Sequence, residues 1–111
     1  MEHTVTEYKR CVLISLKGRI DSYTSPQLVD LLSQHINEGK FKLALDMSGV
    51  EFLSSAGWWA LINAQKKCRQ YNRGEVALAC IDQKIRESMD LVGIRNYFRI
   101  FDDVTSAVAA F

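Results

Sequence analysis

Apolar residues recur along this chain with two alternating periods, one typical of strands and one of helices. Cys11 to Leu16 is a rich apolar run, and a shorter extended segment begins at Val5. We expect these two segments to pair as a hairpin around Tyr8–Arg10. Later segments with the same apolar character predict further strands: Lys42–Asp46, Glu75–Ile81 and Tyr97–Phe101.

A helical period follows the hairpin. The apolar stripe of this helix consists of Leu28, Leu31, Leu32, His35 and Ile36. Such spacing places all of them on one face. The helix is expected to begin after a cap at Thr24 or Ser25, with Pro26 in its first turn, and to end at Gly39. We interpret His35 as a packed residue of this face.

Helical segments also separate the remaining strands. They are predicted from Ser55 to about Tyr71, from Lys84 to Val92, and from Val104 to the C-terminus, the last capped by Asp102 or Asp103. In the first of these, a rotation of about 100° per residue places Trp58 on the apolar face and Trp59 at its side. Alternation of strands and helices after a hairpin predicts an α/β fold with a mixed sheet covered by helices.

Composition narrows the class of protein. The chain has 111 residues, 48% of them hydrophobic and 24% charged, which fits one globular domain over residues 1–111. The net charge of +1 and the lack of a basic run argue against a nucleic-acid partner. No apolar run approaches the roughly 20 residues of a membrane span. The segment Met1–Thr4 does not resemble a signal peptide, so we expect a cytoplasmic protein without membrane insertion.

Cysteine and histidine residues give no sign of a metal site. Cys11, Cys68 and Cys80 are widely spaced and lie among apolar residues, which predicts free, buried thiols in a reducing compartment. His3 and His35 are far apart and form no ligand motif. We therefore expect no metal and no cofactor.

Candidate chemistry is concentrated in the segment from Leu45 to Gly57. An apolar strand is expected to end at Asp46 and to be followed by a small-residue turn, after which Ser54 and Ser55 open a helix. A helix N-terminus carries partial positive charge and unpaired N–H groups, so it accommodates an anion. Ser55 is therefore a candidate phosphorylation site. The alternative is that one of the two serines only caps the helix.

Two motifs in this region resemble the signature of the STAS domain (sulfate transporter and anti-sigma factor antagonist). They are Asp46-Met47-Ser48-Gly49-Val50 and Phe52-Leu53-Ser54-Ser55-Ala56-Gly57. Leu16–Asp21 also resembles the Gly-x-Ile/Leu-Asp strand end of that family. The resemblance implies an α/β fold with a mixed central sheet of about four to five strands, flanked by about four helices.

The resemblance also implies a phosphorylation site. Aligned on Gly57, the acceptor serine of the family is Ser55. Ser54 stands where the family usually has Asp, and Ala56 stands where it has Ser or Thr. Ser54 is therefore a second, less favoured acceptor.

The function implied by the resemblance is that of an anti-sigma factor antagonist in a bacterial partner-switching system. Such a protein binds an anti-sigma factor serine kinase while unphosphorylated, is released by phosphorylation, and is reset by a PP2C-type phosphatase. It would be a monomer or weak dimer. The alternative is a stand-alone STAS subunit of an ABC-type lipid transport complex.

A partner surface is expected around the acceptor serine. Its candidate residues are Asp21, Asp46, Ser54, Ser55, Gly57 and Trp59. Both aspartates are predicted at strand ends, which lie near the serine in the resembling fold; the alternative is that each caps a turn. An exposed Trp59 would anchor a partner, unless both tryptophans are buried.

An enzymatic role for Ser55 is not favoured. Ser54-Ser55-Ala56-Gly57 is not a Gly-x-Ser-x-Gly elbow, and the sequence places neither histidine as a base. We expect no catalytic residue.

Overall fold

A computed structural model describes residues 1–111 as strands and helices in alternation. The strands are β1 (Glu2–Glu7), β2 (Val12–Ile20), β3 (Lys42–Leu53), β4 (Glu75–Ala79) and β5 (Ile100–Phe101). The helices are α1 (Ser25–Asn37), α2 (Ser55–Arg69), α3 (Gln83–Leu91) and α4 (Val104–Ala109). A 3₁₀ turn at Gln70–Asn72 follows α2. The predicted α/β class is confirmed.

The strands form one mixed sheet in the order β1-β2-β3-β4-β5. β1 is antiparallel to β2, while β2, β3, β4 and β5 are parallel neighbours. A short turn suffices for the first pair, and the amide of Tyr8 closes it by donating to the carbonyl of Cys11 at 2.9 Å. Parallel neighbours need crossover connections, which the helices supply.

The helices cover the sheet unequally. The larger core joins the sheet to α1, α2 and α3, with Ile14, Leu45 and Leu61 fully buried at its centre. A smaller cluster lies under α4, where Ala107 packs with Leu13. Burial of apolar surface in these two layers is the main favourable term in folding. β2 and β3 extend together to one edge of the sheet, where Ile20 pairs with Leu53 beside the start of α2.

Two strands are longer than their sequence pattern indicates. The apolar run alone predicts an end of β2 at Leu16, but β2 extends to Ile20, directly before Asp21, as the resemblance implies. β3 is predicted to end at Asp46 but extends to Leu53. Ser48-Gly49 resembles a turn, yet it lies inside β3. A Cβ at Gly49 would lie 3.0 Å from the carbonyl oxygen of Leu16, so glycine permits the close approach of two strands.

The remaining boundaries differ by a few residues. β1 begins at Glu2 and not at Val5; because its residues are all exposed, apolar content does not reveal its start. β4 ends at Ala79, since Cys80 has a left-handed φ of 62°. Gly39, with a φ of +84°, lies just past the end of α1, where the left-handed conformation favours glycine.

Candidate functional site

Ser54 and Ser55 occupy different positions at the start of α2. Ser54 is the N-cap residue, and its hydroxyl accepts a hydrogen bond from the amide of Gly57 at 3.3 Å. Its own amide donates to the carbonyl of Ile20 at 2.8 Å, which fixes the helix start against the end of β2. Ser55 is the first helical residue and is exposed. The capping alternative therefore applies to Ser54.

The surroundings of Ser55 favour negative charge. α2 has 15 residues and no acidic residue in its first turn. The first amides of a helix have no intrahelical acceptor, and the aligned peptide dipoles make this end positive. The structure thus leaves an accessible hydroxyl next to unpaired donors, where a phosphate group would meet no carboxylate of its own helix.

Gly57 explains how α2 approaches the sheet so closely. The residue is buried, and a Cβ built on it would lie 2.4 Å from Cδ1 of Leu53 and 2.9 Å from Cγ2 of Ile20. Any side chain would push the helix start away from the strands. In the structure, Gly57 therefore positions Ser55; direct contact of Gly57 with a partner stays a prediction.

The two tryptophans of α2 have opposite environments. Trp58 is 1% exposed, and its indole N–H donates to the Ser88 hydroxyl at 2.8 Å. Trp59 is 59% exposed. The alternative that both are buried is wrong. Since Trp59 follows Ser55 by four residues, the two lie on the same face of the helix.

Asp21 lies at the same end of the sheet as Ser55. It follows Ile20 directly, and its carboxylate accepts the amides of Tyr23 at 2.9 Å and Thr24 at 3.1 Å. These two hydrogen bonds hold the pKa of Asp21 below its usual value, and the bond from Thr24 has the larger effect. Asp21 therefore caps a turn, as one of the two alternatives stated, while remaining close to the start of α2.

Asp46 is not where the sequence pattern placed it. It lies within β3 and accepts the Ser15 hydroxyl at 3.2 Å and the Ser48 amide at 3.0 Å. Because Asp46 precedes Leu53 by seven residues in the strand, about 20 Å of extended chain separate it from the start of α2. The prediction that Asp46 stands at a strand end beside the serine is wrong, because pairing with β2 extends β3.

A polar group around Asp46 includes a cysteine that no sequence pattern indicated. Burial raises the pKa of the Cys80 thiol, and the carboxylates of Asp46 and Asp103 raise it further. Cys80 is half-buried, whereas Cys11 and Cys68 are buried, and all three are free thiols. A raised pKa disfavours the reactive thiolate at neutral pH.

Exposed aromatic rings accompany Ser55 at this end of the sheet. Tyr23 is 93% exposed and Phe52 is 40% exposed. The guanidinium of Arg19 lies 4.5 Å from the centroid of the Phe52 ring. The sequence pattern does not reveal Phe52 as a surface residue, because an aromatic residue between apolar neighbours is typical of a core position. Tyr23 lies in a polar segment, and no motif singles it out.

No group of three or more His, Cys, Asp and Glu side chains is placed to hold a metal ion. His35 is buried, with Nδ1 3.0 Å from the carbonyl oxygen of Leu31, as expected for a packed residue of the α1 face. None of the helices combines the length and apolar character needed to cross a membrane.

Comparison with known proteins places this chain in one family. The family model described as the STAS domain matches residues 2–107, and the chain belongs to that family. The anti-sigma-F factor antagonist RsfB of Mycobacterium tuberculosis is 28% identical over 106 residues, covering 95% of this chain and 84% of RsfB.

Solved structures agree on the fold. An anti-sigma factor antagonist from Mycobacterium paratuberculosis has a TM-score of 0.87 at 23% identity and covers 98% of this chain and 92% of its own. The Bacillus cell fate determinant SpoIIAA in its phosphorylated form has a TM-score of 0.76 at 15% identity and covers 98% of both chains. The chain is thus similar over nearly its whole length to anti-sigma factor antagonists.

Proposed function

We propose that this protein is an anti-sigma factor antagonist whose binding to an anti-sigma factor serine kinase is switched off by phosphorylation of Ser55. The observation that supports the proposal most strongly is that two adjacent serines at the start of α2 have different roles. Ser54 caps the helix, while Ser55 stands exposed beside it. A modification of Ser55 therefore leaves the cap intact. The antagonist relatives favour this function over a subunit of an ABC-type lipid transport complex.

The switch is local. A phosphate adds roughly 1.5 to 2 negative charges at neutral pH, and the helix N-terminus tolerates them. A partner seated over Ser55 and Trp59 meets new bulk and charge in the middle of its contact. A loss of about 3–4 kcal/mol would weaken binding several-hundred-fold. The domain itself does not need to rearrange.

Trp59 and Asp21 are proposed as partner contacts flanking the serine. Trp59 is 59% exposed on the Ser55 face of α2, and large exposed tryptophans are frequent energetic anchors of interfaces. Asp21 is held by two amides at the neighbouring strand end, so it presents a fixed charge. Ser54, Gly57 and the distant Asp46 are proposed to act through the shape of the fold.

The kinase binds the ATP and Mg²⁺ needed for phosphorylation, and a PP2C-type phosphatase returns Ser55 to its free hydroxyl.

The phosphorylation site is tested by incubating the protein with its cognate kinase and ATP, followed by mass spectrometry. Phosphate on Ser55 is expected in the wild type and none in Ser55→Ala. Phosphate on Ser54, or on a residue away from α2, would contradict the site.

Binding to the kinase provides a second test. Ser55→Ala should bind as unmodified wild type and remain bound in ATP, while Ser55→Asp should bind poorly. Trp59→Ala should weaken binding without changing the fold, with Trp59→Phe as the milder variant. Equal binding by Ser55→Ala and Ser55→Asp would rule out the switch. Co-purification with an ABC ATPase and not with a small kinase would favour the alternative.

A further inference from the structure

A cleft lined by cations lies at the opposite end of the parallel strands from Ser55. It is formed where the β1–β2 hairpin, the turn between α1 and β3, and the connection between α2 and β4 meet. Its volume is about 290 Å³. The basic residues that line it are Lys9, Arg10, Lys40, Lys42 and Arg73. They come from three separate segments, and only the fold brings them together.

Most of these cations have no carboxylate partner. Lys40 is paired with Glu7 and lies 3.7 Å from Glu38. The other four, Lys9, Arg10, Lys42 and Arg73, form no salt bridge. All four are exposed to solvent, so their charges are available to an anionic ligand.

Arg73 lies against two aromatic rings. Its guanidinium lies 5.0 Å from the ring centroid of Phe41 and 5.2 Å from that of Tyr71. The preceding backbone is strained, since Tyr71 and Asn72 have consecutive left-handed φ values of 60° and 55°. At Gly74, a Cβ would lie 2.2 Å from the carbonyl oxygen of Phe41. Strain of this kind persists where the surrounding structure enforces it, and it is frequent at binding sites.

The size and charge of the cleft select the ligand. Its volume lies at the small end of ligand pockets, which span about 300–1,000 Å³, so a small molecule fits better than a polymer. Several unpaired cations match a doubly charged group, and arginine binds phosphate through two parallel hydrogen bonds. The half-exposed rings of Tyr8 and Phe41 would cover an organic body. The carboxylate of Glu7, which also lines the cleft, would repel a longer polyanion.

We propose that this cleft binds a small phosphorylated metabolite through its phosphate monoester group. The site is separate from Ser55 and does not depend on the function proposed for that residue. Lys42 and Arg73 would contact the phosphate, and Lys9 and Arg10 would complete its neutralisation. Phosphate-ester binding here gives the protein a second input, distinct from phosphorylation.

The test is an NMR titration of the ¹⁵N-labelled protein with phenyl phosphate at constant ionic strength. Saturable shifts are expected for the amides of residues 9–11, 39–42 and 73–74, with inorganic phosphate binding more weakly because it lacks the ring. Arg73→Gln and Lys42→Gln should each weaken binding about tenfold, the effect of removing one charge-assisted hydrogen bond. Lys84→Gln, which removes an exposed cation from α3, should leave the affinity unchanged.

Several outcomes would overturn the proposal. Equal weakening by Lys84→Gln, or shifts spread over all basic residues, would mean charge screening without a site. Phenylacetate or an acidic peptide binding as tightly as phenyl phosphate would overturn the phosphate assignment. Retained dispersion of the variant spectra shows that they are folded; if Arg73→Gln fails this check, Lys42→Gln decides. Since no kinase is present, and Ser55→Ala should titrate as wild type, the result stands apart from the Ser55 switch.

Discussion

The indole N–H of Trp58 and the hydroxyl of Ser88 are joined by a hydrogen bond of 2.8 Å that links α2 to α3. The same hydroxyl donates to the carbonyl of Leu53 at 3.4 Å. One serine thus connects two helices with the end of β3, next to the start of α2. This part-buried junction adds to the contacts of Gly57 and Ser54 that hold the helix start against the sheet.

Removal of the Ser88 hydroxyl should loosen this junction. In Ser88→Ala, the indole N–H of Trp58 loses its acceptor while remaining 1% exposed. An unsatisfied buried donor costs about 1–3 kcal/mol, so the free energy of unfolding should fall by that amount in urea denaturation. Ser22→Ala, at an exposed loop position, is the matched control. Equal stability of the two variants would show that the bond contributes nothing.

The two serines at the start of α2 should respond differently to alanine. Ser54→Ala removes the hydroxyl that accepts the Gly57 amide, and loss of an N-cap costs about 1 kcal/mol. Ser55→Ala should change stability by less than about 0.5 kcal/mol, as is usual at exposed positions. Thermal and urea unfolding of both variants measure the difference. A larger loss in Ser55→Ala than in Ser54→Ala would reverse the assignment of the cap.

Gly57→Ala tests the close approach of α2 to the sheet. In an unobstructed helix this change stabilises by up to about 1 kcal/mol. Here the added methyl group meets Leu53 and Ile20 at 2.4 and 2.9 Å, so a destabilisation of about 1–3 kcal/mol is expected from overpacking. The sign of the change in the free energy of unfolding is therefore decisive. A stabilised variant would mean that the helix start is free to move.

The contribution of the Asp21 carboxylate to stability should depend on pH in the acid range. Amides of Thr24 and Tyr23 lower the pKa of its carboxyl below the usual 3.8. A carboxyl whose pKa is lower in the folded state stabilises the protein at any pH above its pKa in the unfolded state. This stabilisation is lost as the pH falls through the pKa of the folded state. The stability difference between wild type and Asp21→Asn should therefore shrink below about pH 4.

Urea unfolding at a series of acidic pH values measures that difference. Asp30→Asn, which removes an exposed carboxylate of α1 without these amide bonds, is the control variant. A difference for Asp21→Asn that stays constant across the acid range would contradict the role of the two amides.

Features set by local sequence could be predicted. The apolar stripe of α1 and its end at Gly39 need only neighbours within a few residues, as does the helix start at Ser54-Ser55. Helical geometry also places Trp58 on the apolar face and Trp59 at its side. The features of α1 and the start of α2 agree with the structure because the deciding contacts lie within one turn of helix, whereas the alternative that both tryptophans are buried stays open in the sequence, since burial depends on distant contacts such as that of Trp58 with Ser88.

Features set by distant pairing could not be predicted in this way. Ser48-Gly49 resembles a turn, but β2 pairs with this segment and keeps it extended, which moves Asp46 away from the expected strand end. The basic cleft was missed for the same reason. Arg10, Lys42 and Arg73 are far apart in the sequence, and the lack of a basic run indicated an ordinary charge distribution.

The strand order has a consequence for synthesis on the ribosome. Each strand after β1 pairs with the strand that precedes it in the chain. Each newly synthesised strand can therefore pair with a neighbour that has already been synthesised. No late strand has to insert between two earlier ones, and growth proceeds outward from the first hairpin in the direction of translation. Because chains are delivered from the N-terminus, a nascent copy of this protein should acquire its sheet progressively, with the short β5 and α4 added last.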